Sequence, residues 1–91
     1  MKEDKVNSLV KELLMKMLGD NYDDVMLKAK EANEKGERYA FYDKYTWTKE
    51  EQDEFMKWAS ERVKKVLRVN KKRADKEVSY FILTYGLKVA Q

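Results

Sequence analysis

Val6, Leu9, Val10, Leu13, Leu14, Met17 and Leu18 recur at intervals of three and four residues, with mostly charged or polar residues between them. That spacing lays one apolar stripe along a helix and predicts helix one from about Lys2 to Leu18. Gly19 can take the left-handed conformation that ends a helix. Asp20 or Asn21 is then placed to cap a second helix, with Asp23 and Asp24 near its positive end. The second stripe, Tyr22, Val25, Met26, Ala29 and Ala32, is weaker, and Gly36 is its natural stop.

Tyr39, Phe41, Tyr42, Tyr45 and Trp47 follow without a sustained period. The stretch reads as a connection over the core, with at most a short helical turn. The sequence TKEE at 48–51 is a capping box: the Thr48 hydroxyl can accept from the Glu51 amide, and the Glu51 carboxylate can reach back. Helix three then carries Phe55, Met56, Ala59, Val63, Val66 and Leu67 on one face. Helix four carries Ala74, Val78, Phe81, Ile82 and Tyr85. Gly86 fits as the left-handed residue past its end, with Leu87 folding back onto Ile82.

The segment VSYFILTY at 78–85 is also rich in strand formers. No second strand is evident for it to pair with, so helix is the better reading. No Gly or Pro interrupts 49–85. This span is either two helices broken near 69–72 or one continuous or bent helix of about 55 Å. The continuous form would need a second copy to cover it. Asn70 is the sole break signal. The expected fold is all-α, a small bundle of four helices forming a single domain over 1–91.

Composition agrees with helices: the 91 residues include no Pro and three Gly, with 41% charged and 43% hydrophobic. Two Trp, six Tyr and three Phe argue against disorder. Cys and His are absent, which removes disulfides, thiolate metal sites and the usual general base. Magnesium binding by Asp20 and Asp23 is conceivable. A helix start rich in Asp is more simply explained by the helix dipole. No phosphate loop, HExxH, GxSxG or EF-hand spacing occurs. The expectation is a protein that is not an enzyme and takes no metal, cofactor or small-molecule substrate. Charges interrupt the first twenty residues too often for a signal peptide, and no apolar run is long enough to span a bilayer. These features predict a cytoplasmic protein without membrane attachment.

Net charge is +3, unevenly spread. Residues 37–61 hold four basic and seven acidic side chains, whereas 62–91 hold nine basic and two acidic. The carboxylates at the start of helix three and Lys64, Lys65 and Arg68 near its end complement the macrodipole, and Glu61 is spaced to pair with Lys65. On that view the basic residues are a solvated helix back. Lys71, Lys72 and Arg73 resist it, because cations in the first turn of helix four oppose its dipole. A corner carrying Lys64, Lys65, Arg68, Lys71, Lys72, Arg73 and Lys76 is instead expected to bind nucleic acid or another polyanion, neutralising phosphates largely without regard to base sequence. No helix-turn-helix signature accompanies it.

The aromatics of 39–47 are candidates for stacking on unpaired bases, though closing the core is their simpler role. In a protein–protein module, Tyr39, Tyr42, Tyr45, Met56 and Trp58 would be the anchors. That module would be a homodimer through helices one and three, or an inhibitor of a host protein.

In the C-terminal half, Lys71 to Ala74 read KKRA and Tyr85 to Lys88 read YGLK, with an aromatic-rich segment between them. This half resembles small proteins of tailed bacteriophages in which a KKRA stretch leads into an aromatic-rich segment ending in YGLK or a variant of it. The resemblance covers about half the chain and carries no activity and no functional residues. It implies a small accessory protein made in a bacterial host cell, binding a host factor, a nucleic acid or itself.

Overall fold

The computed structural model describes residues 2–90. It contains α1 (Lys2–Leu18), α2 (Tyr22–Glu34), α3 (Lys49–Leu67) and α4 (Lys71–Tyr85), with 3₁₀ turns at Gly19–Asn21 and Phe41–Asp43. It also contains two strands, β1 (Thr46–Trp47) and β2 (Lys88–Val89). The chain is therefore mostly helical, and the strictly all-α expectation needs correction. β1 and β2 pair in parallel, Thr46 opposite Lys88 and Trp47 opposite Val89. The Ala90 amide donates to the Trp47 carbonyl at 2.7 Å. Two-residue strands are too short for alternation to show, and their partners lie far apart in the chain.

Local chemistry explains most helix ends. α1 stops at Gly19 (φ 54). The expected side-chain cap of α2 by Asp20 or Asn21 is not made, because the 3₁₀ turn carries a helical backbone straight into α2. Gly36 (φ 73) ends α2 in a Schellman motif. There the Glu37 amide donates to the Ala32 carbonyl at 2.8 Å, and the Gly36 amide to the Asn33 carbonyl at 3.0 Å. The Thr48 capping box forms with both bonds at 3.0 Å.

Gly86 is not left-handed as the sequence suggested. It is extended (φ −62, ψ 138), and its amide donates to the Ile82 carbonyl at 2.7 Å. Glycine is needed here for space, since a Cβ would collide with the Ile82 carbonyl oxygen and meet its Cγ2 at 2.9 Å.

α3 and α4 form the tightest helix pair, joined through residues 68–70. They run antiparallel. Ser60 Oγ donates to Asp75 Oδ1 near the connection, and the Phe55 and Phe81 rings meet at 5.8 Å further away. Ala59 and Ala74, both fully buried, permit close approach. Rings stack on from Trp47 to Phe55 (5.3 Å) and from Phe81 to Tyr85 (5.3 Å). α1 adds Leu9, Leu13, Met17 and Leu18 to the same core. It is tied to α3 by Arg62 and Glu12, with Nη2 at 2.8 Å from Oε1.

The four helices do not share one symmetrical bundle. α1, α3 and α4 build the shared layer, and α2 packs mainly at the end of α1 through Val25. The molecule is a slab of 40 × 38 × 20 Å. Residues 39–45 lie beside α2, where the Tyr45 hydroxyl donates to Asp24 Oδ2 (3.2 Å) and Lys28 sits 3.0 Å from the same oxygen. The Lys28 hydrogen bond holds the Asp24 carboxyl below its usual range, and burial raises the Tyr45 phenol. Among the described residues, no helix is long and apolar enough to cross a membrane.

Candidate nucleic-acid interface

The basic residues gather where α3 turns into α4. Lys64 and Lys65 occupy the last turn of α3. Arg68 closes that helix in the left-handed conformation (φ 55, ψ 47). For a residue other than glycine this geometry costs about 1–2 kcal/mol. Asn70 (φ −76, ψ 170) starts α4 by accepting from the Arg73 amide at 2.9 Å. The continuous helix is thus excluded, and the break falls at Arg68–Asn70. Lys71, Lys72 and Arg73 fill the first turn of α4, which contains no acid, and Lys76 follows one turn on. All seven cationic residues are exposed.

Their charges are mostly unneutralised. Arg73 pairs with Glu77, Nε to Oε1 at 2.8 Å. An exposed contact of this kind is worth about 0.3–0.5 kcal/mol. Among the described residues, no carboxylate lies within ion-pairing distance of Lys64, Lys65, Arg68, Lys71, Lys72 or Lys76. The Glu61–Lys65 pair expected from spacing does not form. Both side chains are exposed, and water solvates them at little cost. Asp75 is engaged by the buried Ser60 hydroxyl, and the Ser79 hydroxyl donates to the Asp75 carbonyl.

Tyr39, Tyr42 and Tyr45 are not brought to the corner. They pack against the core near α2 and the start of α3. The corner lies at the other end of that 19-residue helix. At the usual rise per residue the separation along the axis is about 28 Å. Phe41 is buried, and Met56 is partly buried on the core side of α3. Trp58 is brought to the corner. It lines an open depression of about 500 Å³ with Glu61, Arg62, Lys64, Lys65 and Val69. Lys16 reaches over from α1, its Nζ 5.4 Å from the Trp58 ring centroid. That distance makes a cation–π contact.

Arg62 and Lys16 were not singled out from the sequence. Arg62 lies one turn beyond Trp58, a legible signal, but Lys16 arrives only through the packing of α1 on α3. Among the described residues, no group of three or more His, Cys, Asp or Glu is placed to hold a metal ion.

The arrangement is suited to holding anions, with an aromatic side chain at its margin. Comparisons with known protein families, curated proteins and solved structures find no match to the chain.

Proposed function

We propose that this is a non-enzymatic binding protein that grips the phosphate backbone of nucleic acid with the corner between α3 and α4. The observation that carries this reading is the placement of charge against local stability. An arginine occupies a left-handed position that glycine would take freely, and three cations face the positive end of α4. The fold bears both costs at one exposed place, and six of its seven cations have no carboxylate partner among the described residues. A role as a phage-type accessory protein in a bacterial host cell fits this reading and rests on the KKRA and YGLK stretches.

Phosphate neutralisation releases counterions, so affinity should fall steeply with salt. Retention on mixed DNA and RNA oligonucleotides at about 50 mM salt is expected to weaken about 10³-fold or more by about 200 mM if six contacts form. Charge reversal of Lys72 and Arg73 should reduce low-salt affinity at least tenfold without changing the helical content. No retention at low salt would end this reading.

A second reading is a homodimer, supported by a different surface. Val6, Tyr80 and Leu83 are exposed, and Val6, Val10, Tyr80 and Thr84 line an apolar groove among α1, α3 and α4. The chain exposes 7044 Å². A compact monomer of its mass would expose about 5,600 Å². The excess is larger than the roughly 800 Å² per partner that a standard interface covers. Sedimentation showing a monomer at about 100 μM would remove this alternative.

A further inference from the structure

The depression beside Trp58 suggests a narrower specificity for the proposed interface. Its volume is about 500 Å³. Small-ligand pockets run from roughly 300 to about 1,000 Å³. One wall is the Trp58 indole; Arg62, Lys64 and Lys65 stand around it and outnumber the one carboxylate, Glu61, with Val69 completing the lining. Arg62 is steadied by Glu12, which accepts from both Nε (3.2 Å) and Nη2 (2.8 Å). On the other side, the exposed Lys16 lies over the ring. The indole is therefore capped by an exposed lysine and not sealed by core packing alone.

We infer that this depression is a subsite for one unpaired nucleotide, with its base stacked on Trp58 and its phosphate held by Lys64 and Lys65, so that the ligand is single-stranded nucleic acid. The inference rests on the nucleic-acid reading above and deepens it. Every base has a π-face, so stacking on an indole is tolerant of sequence, as is the phosphate corner beside it. A duplex keeps its bases stacked on each other and cannot present one to the indole without unstacking it. An acidic protein segment or another base-free polyanion could satisfy the lysines but would leave the indole face unused.

Tryptophan fluorescence tests this directly. Trp47 is buried at 5% exposure, so quenching by a bound oligonucleotide reports on Trp58. The probes are a 15-nucleotide oligothymidylate, a duplex of equal length and inorganic polyphosphate. The expected result is quenching by oligothymidylate alone. Trp58→Leu should weaken oligothymidylate binding about tenfold, Trp58→Phe should retain most of it, and neither should alter duplex or polyphosphate binding. If all three probes bind without quenching, or if duplex binds as tightly as the single strand, the subsite is refuted while the basic corner stands. If none of the three binds at low salt, both readings fall. The wild-type fluorescence arm decides the matter even if Trp58→Leu does not fold.

Discussion

Arg68 and Gly86 show opposite uses of backbone at single positions. Arg68 is held at φ 55. Glycine there would relieve about 1–2 kcal/mol of steric strain. Its extra unfolded-chain entropy would offset about 0.5–1 kcal/mol of that gain. Arg68→Gly should therefore stabilise the protein by about 0.5–1 kcal/mol in urea denaturation while weakening oligonucleotide binding several-fold. A variant that is both less stable and unchanged in binding would contradict the role assigned to this residue. Gly19 and Gly36 were legible as left-handed from the sequence, because glycine at a helix end announces that geometry. Arg68 was not legible, because no intrinsic preference puts arginine there. The short α3–α4 connection imposes it. Gly86 was legible as a special position, but for the wrong reason: the constraint is close approach to Ile82, not handedness.

At the scale of elements, the ends set by local side chains were the most readable. The span of α1 and the Thr48 box agree with the pattern of the chain, since both depend on residues within one or two turns. Asn70 belongs to the same class. Its oxygen satisfies one amide of a helix start that also carries Lys71, Lys72 and Arg73. Asn70→Ala should cost about 1 kcal/mol, read by thermal or chemical denaturation. Asn70→Asp should keep the cap and add a negative charge beside the helix dipole and three cations, gaining about 0.3–1 kcal/mol. The same substitution should reduce polyanion affinity, so stability and binding would move in opposite directions. Equal losses in both would show that Asn70 acts only through folding.

For the whole molecule, closure depends on contacts between distant parts of the chain. The segment after α4 sends Leu87 into the core at 7% exposure and lays β2 beside β1, with Lys88 Nζ 3.0 Å from Asp43 Oδ1. Leu87→Ala should destabilise by about 2–4 kcal/mol, whereas Val89→Ala, at an exposed position, should cost under about 1 kcal/mol. Similar losses from both would mean that the sheet, and not the Leu87 contact, closes the fold. The basic corner was readable as a cluster because its residues are neighbours in sequence. The depression was not, although its lining comes from residues 58–69, because the contacts that set its Trp58 and Arg62 side chains, from Lys16 and Glu12, are made by α1.

The linear chain determined the four helices, their stripes, most of their ends and the gathering of cations near residue 70. Each of these follows from periodicity or from side chains reaching only a few residues along the backbone. Tertiary packing decided that α2 stands apart from the main helical layer, that β1 meets β2, that the 39–47 aromatics stay away from the corner, and that Lys16 of α1 lies over the Trp58 ring. Those outcomes depend on which apolar faces bury each other most completely, a comparison among surfaces that only the assembled chain can make.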